Sequence, residues 1–128
     1  MYKRQALLYA ENDTIKNSSK VSELLNNSLR MRPDRIIMGE IRKENAFIFS
    51  RAINTGHQGT IATIHANSAD EALPAIIENS ILNGDIAEEA VNILAKQLVR
   101  RISAVVQLER KNGRVAGYYQ EVGEVLRL

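Results

Sequence analysis

Cysteine is absent from the 128 residues. No disulfide can staple this chain and no thiolate can complete a zinc set, a composition that fits a reducing compartment. Long apolar runs are absent too. Nothing approaches the ~20 residues of a membrane span, and no charged-then-apolar leader suggests secretion. Aromatic residues make up only 5% of the chain, and they do not interleave with basic residues as in a base-stacking platform. A strong excess of one charge is also missing. The formal net charge is +2 and the pI about 9.0, but the excess rests on Lys3 and Arg4. Setting those aside leaves 15 basic against 15 acidic residues, so direct nucleic-acid binding is not expected.

What is present is an ordinary globular composition, 45% hydrophobic and 25% charged. It fits one domain or part of one, without internal repeat, low-complexity segment or flexible linker. The opening "MYKRQ", residues 1–5, fits nothing downstream and reads as a non-native leader. The native chain is then expected to begin well upstream.

Periodicity divides the remainder. "ALLYA", residues 6–10, predicts a short strand, followed by a polar loop. Val21, Leu24, Leu25 and Leu29 share one helical face over about 19–31, and Pro33 in "RPD" ends that helix. "RIIMGE", residues 35–40, is the continuous apolar run of a strand buried on both faces. A helix over about 44–55 turns Ala46, Phe49, Ala52 and Ile53 inward and is capped by Gly56. A strand over 59–65 follows. Ser68 and Glu71 then form a capping-box signature, with Pro74 expected to kink the next helix or shift its start.

A further helix over about 85–99 is expected to bury Ile86, Ala90, Ile93, Leu94 and Gln97. Lys96 and Arg100 sit near its C-terminal end, where the helix dipole favours cations. Alternation through Ile102, Ala104, Val106 and Leu108, with Asn-Gly in "KNGR", predicts a closing hairpin. "VAGYYQEV" and "EVLRL" are the partners available to it. The whole reads as an α/β sheet, mixed at one edge.

Both histidines lie in "GHQGTIATIHANS", residues 56–68. If the segment between them is extended, eight steps of about 3.3 Å separate His57 from His65 by roughly 26 Å. One ion cannot bind both. Strand 35–40, helix 44–55 and strand 59–65 have the order and length of a right-handed βαβ crossover. Glu40 and His65 then both project at the carboxyl edge, where open α/β sheets bind ligands. Taken singly, a glutamate after a glycine is as readily a solvated turn residue, and a lone strand histidine is more often structural. Arg35 and Arg42 are by default surface charges, and Asp85 to Glu89 the acidic first turn of a helix.

Two longer stretches go further: "LRMRPDRIIMGEIR" (29–42) and "NTGHQGTIATIHANSADEAL" (54–73). They resemble the Walker B region and histidine box of the secretion-superfamily ATPases, the hexameric motors of type IV secretion and conjugation, type II secretion and type IV pili. "RMRPDRIIMGE" followed by "TIHANS" looks most like the type IV secretion and conjugation branch, with pilus motors second. The resemblance is close over 29–73 and looser elsewhere. It implies a RecA-like P-loop NTPase core fragment, a mostly parallel sheet flanked by helices with an antiparallel C-terminal hairpin, over residues 6–128. It also implies ATP and Mg²⁺ as cofactors, a homo-hexamer in the full-length protein, and a cytoplasmic location. The partners implied are the inner-membrane secretion or conjugation machinery, with peripheral association through it.

The resemblance assigns roles residue by residue. Glu40 matches the Walker B glutamate that polarises the attacking water, a role suited to phosphoryl transfer, which needs an oriented nucleophile more than covalent help. Gly39 stands where many P-loop ATPases carry an Mg²⁺-associated Asp, so no direct metal ligand is implied here. His65 matches the second histidine of the box, expected near the γ-phosphate. Thr63 and Asn67 are expected to orient it. Arg42 is expected near phosphate or at a subunit interface, and His57 in a subunit contact or a turn.

One motif of the family is missing. No Gly-x-x-x-x-Gly-Lys-Ser/Thr occurs in the chain, and that loop supplies the amides, lysine and hydroxyl that hold phosphate and Mg²⁺. The polypeptide alone is therefore expected to be inactive. A non-enzymatic module that binds a motor ring is the alternative of a different class.

Overall fold

The computed structural model describes residues 17–57 and 59–122. The strand expected at 6–10 and the "EVLRL" segment lie outside them. In chain order the elements are α1 (Asn17–Arg30), β1 (Ile37–Ile41), α2 (Ala46–Asn54), β2 (Ile61–Ile64), α3 (Ala72–Leu82), a 3₁₀ turn (Glu88–Ala90), α4 (Val91–Arg101), β3 (Ala104–Lys111) and β4 (Arg114–Glu121).

Helix α1 buries Leu25 against Ile36 and Ala52, with Leu29 beside them. It stops where Pro33 requires. Arg32 swings into the left-handed region at φ 50, and its N–H donates to the Leu29 carbonyl at 3.2 Å. Glycine usually fills this helix-ending conformation, and a side-chain-bearing residue there costs roughly 1 kcal/mol. Helix α2 turns Ala46, Phe49, Ala52 and Ile53 inward as its spacing predicts. It also buries Ser50, whose hydroxyl donates to the Ala46 carbonyl at 2.9 Å. Thr55 caps it, and Gly56 at φ 93 carries the chain away.

Strands β1 and β2 pair in parallel, with Ile37 opposite Ile61, Met38 opposite Ala62 and Ile41 opposite Ile64. This is the crossover expected from the sequence. Burial on both faces is not what β1 shows. Its exposure alternates, with Ile37 76% and its partner Ile61 58% exposed, while Ile41 is buried. An apolar run records two apolar faces, and among the described residues only one is covered.

The β2 ladder also starts later than expected, at Ile61. The preceding residues form a turn, with Gly59 at φ 79 and the Thr60 hydroxyl donating to the His57 carbonyl at 2.9 Å. The fully extended span between the histidines is therefore overturned, although they stay at opposite ends of the strand.

The capping box does not form. Helix α3 begins at Ala72 with Glu71 in the cap position, and no side-chain cap bond is made. The start has moved so that Pro74 falls in the first turn, where a missing N–H leaves no helical bond unmade. Helix α4 buries Leu94 and Leu98, while Ile93 is 61% exposed. The 3₁₀ turn at 88–90 advances 3.0 rather than 3.6 residues per turn, so a single helical phase drawn from Ile86 fails by α4. Ile86 still packs against the core.

The closing hairpin has its Asn-Gly turn as expected. Asn112 (φ 52) and Gly113 (φ 75) both take positive φ, the pair that a two-residue type I′ turn demands, and Lys111 faces Arg114. The hairpin is a separate two-stranded sheet, so the single mixed sheet expected from the sequence is not formed among the described residues. A cleft of about 790 Å³ lies between the two sheets, lined by Gly59 to Ala62 on one side and Ile102 to Ala104 with Val106 on the other. The core lies under the helices, where Ile41, Phe49, Ile53, Leu73, Ile76, Leu94 and Leu98 meet Val122.

Candidate functional site

The parallel crossover delivers Glu40 and His65 to the same edge. Glu40 is the penultimate residue of β1, and His65 follows the last residue of β2. Their side chains touch: His65 Nε2 lies 2.8 Å from Glu40 Oε1. Arg42 Nε donates to the other oxygen, Oε2, at 2.7 Å. The carboxylate is thus held between an imidazole and a guanidinium. It is 26% exposed and faces solvent. Each carboxylate oxygen carries more than one lone pair, so Glu40 can still accept from a water. His65 is 94% exposed, and its ring meets Glu40 from the solvent side.

The loop beneath is tied down by Asn45. Its side-chain amide donates to the Glu40 carbonyl at 2.9 Å, and its Oδ1 accepts from the Arg42 N–H at 2.9 Å. That pair of bonds folds residues 41–45 tightly enough for Arg42 to reach back to Glu40. Sequence reading did not single out Asn45. The signal for it is an Asn just ahead of an apolar helical run, where such side chains bond to local backbone.

The other residues expected at the site divide. The Thr63 hydroxyl donates to the Gly39 carbonyl across the strand pair, so it clamps the strands that carry Glu40 and His65 and does not bond the imidazole. Gly39 has an ordinary negative φ and open space where a Cβ would stand. Asn67 turns the other way, donating to Glu71 Oε2 from its amide side chain (3.0 Å) and its backbone N–H (3.3 Å). His57 is away from this edge. Its Nδ1 lies 3.0 Å from the Thr55 hydroxyl, and it closes the turn before β2. Among the described residues no group of three or more His, Cys, Asp or Glu side chains is poised to hold a metal ion.

The sequence profile of the family described as "Type II/IV secretion system protein" matches residues 8–124. The chain belongs to that family. Among its relatives, the type IV secretion system protein VirB11 of Bartonella quintana (strain Toulouse) is 35% identical over 112 residues, covering 85% of this chain and 31% of the relative. The probable conjugal transfer protein TrbB of Sinorhizobium fredii is 34% identical over 119 residues, covering 85% and 35%. The crystal structure of the VirB11 ATPase from the Brucella suis type IV secretion system, in complex with sulphate, superposes with a TM-score of 0.65 at 22% identity. It covers 84% of this chain and 35% of that one. At that identity the likeness is one of fold, an α/β ATPase-like architecture. The chain spans about a third of the length of these relatives. No described helix is long and apolar enough to cross a membrane.

Proposed function

We propose that this chain is the Walker B and histidine-box part of an ATP-hydrolysing motor subunit for type IV secretion or conjugative transfer. The observation that carries the reading is the pair of Glu40 and His65, 2.8 Å apart at the carboxyl edge of two parallel strands. Glu40 orients and polarises a water. Arg42 and His65 fix its rotamer in register for that water, which is the positioning that phosphoryl transfer rewards. His65, exposed beside Glu40, would contact the terminal phosphate of a bound nucleotide. Mg²⁺ supplies charge neutralisation on the phosphates when ATP is bound.

The donor set here fits the water-activating half of such a site. One carboxylate is available, flanked by two cationic or proton-donating groups, and no phosphate-cradling loop is in the chain. A RecA-like core, a hexameric ring and peripheral attachment to an inner-membrane apparatus from the cytoplasmic side complete the reading. A pilus or type II secretion motor is the neighbouring alternative in the same family, and the conjugation and type IV names of its relatives favour transfer.

The test is a chimera in which residues 6–128 replace the matching segment of a VirB11 relative. Magnesium-dependent ATP turnover is expected from the chimera and is expected to fall at least 100-fold with Glu40→Gln, the order typical of a lost water-positioning group. The chain alone is expected to be inactive. Turnover by the chain alone that Glu40→Gln abolishes would refute that expectation, and an active chimera indifferent to Glu40→Gln would refute the site.

A further inference from the structure

At the end of the sheet opposite Glu40, three helices finish together and the surface is built of arginine. Arg30 and Arg51 line one depression of about 560 Å³, and Arg32 lines a second of about 350 Å³. Arg100 and Arg101 line the near end of the cleft between the sheets. His57 borders all three. Arg35 lies alongside Gly59 at the same end. All six arginines are exposed, none has a salt bridge among the described residues, and Asp34 is the one acid lining these depressions.

Helix dipoles account for part of this. Arg30, Arg51, Arg100 and Arg101 sit in the last turns of α1, α2 and α4. Three helix C-termini together present only about −1.5 charge, less than those four arginines supply. Arg32 is a second and independent observation. It holds a left-handed conformation that glycine would take without strain and in which glycine could make the same backbone bond to Leu29. Its side chain is in solvent and makes no hydrogen bond or ion pair among the described residues. Stability does not choose arginine there.

We infer that this edge is a docking surface for an acidic polypeptide segment. Arginine forks match carboxylates in bidentate pairs, and no lysine lines these depressions. The arginines are spread round concave pockets that a flat headgroup surface touches only at its rims. Asp34 interrupts the field, which a flexible chain with discrete carboxylates can step around and a continuous phosphate backbone cannot. No exposed aromatic lines these depressions to stack a base. The inference does not depend on nucleotide chemistry at the other edge.

The test uses the full chain with a fluorescent oligoglutamate peptide, a DNA duplex and phosphatidylglycerol vesicles as separate probes. Salt-sensitive binding of oligoglutamate is expected. The Arg30→Ala/Arg51→Ala double variant should weaken it about 10-fold, from the loss of two charge-assisted contacts. Arg32→Gly should weaken it while leaving the melting temperature equal or higher, which a purely structural arginine would not do. The hairpin-tip control Arg110→Ala/Arg114→Ala should leave affinity unchanged. Absence of peptide binding, an equal loss in the hairpin control, full affinity in Arg32→Gly, or tighter binding of duplex or vesicles would each overturn the proposal.

Discussion

At the scale of single residues, two histidines that are neighbours in sequence have different surroundings. His65 contacts a carboxylate at the edge where two parallel strands end, whereas His57 contacts a threonine and closes a turn. In the chimeric motor, His65→Ala is therefore expected to lower kcat directly, by roughly 10- to 100-fold for a lost charge-stabilising or positioning group. His57→Ala is expected to act through folding or assembly, seen as a lower melting temperature or altered oligomer with kcat per assembled subunit preserved. A larger kcat loss in the His57 variant, with assembly intact, would reverse the assignment. The Glu40–His65 meeting was legible in the sequence because topology alone brings two strand ends together. The bonds of Asn45 and the Thr63 clamp were not, because they go to backbone groups. An Asn ahead of an apolar helical run signals a local backbone bond without saying which, and the residue type of Gly39 says nothing about what its carbonyl accepts.

At the scale of elements, the hairpin turn and helix α2 follow directly from their residues. Asn112-Gly113 requires a conformation few other pairs accept, and α2 repeats its apolar positions without interruption. Helix α4 departs because the 3₁₀ turn before it shifts its phase by a fraction of a residue per turn, which no apolar spacing announces. The shift has a measurable consequence. Leu98, fully buried, should cost about 2–5 kcal/mol when changed to alanine. Ile93, which the uninterrupted phase would bury, should change stability by no more than about 0.5 kcal/mol when changed to serine, as exposed positions do. Urea unfolding of the two variants checks the order, and equal losses would restore the uninterrupted helix.

At the scale of the whole molecule, the described residues leave much of the sheet uncovered. Ile37 and Ile61 are exposed on one face, Val106, Leu108 and Val115 on the hairpin, and the two sheets stand apart across the cleft. Open ladder edges beside exposed apolar side chains are sites for pairing with another chain. The isolated chain is expected to self-associate as its concentration rises, with light scattering increasing before a cooperative melt. A soluble monomer with a single sharp transition would show that these edges are protected. This openness was not legible in "RIIMGE", whose apolar run says that both faces of the strand seek cover without saying what is there to cover them.

The bond from the Thr63 hydroxyl to the Gly39 carbonyl acts as a rivet between two neighbouring strands. Glu40 follows the riveted point on one strand and His65 lies just past it on the other, so sliding one strand along the other would have to break the rivet first. The pair is a caliper set to one opening. A ligand arriving at this edge therefore meets two side chains whose spacing is already set by the backbone behind them.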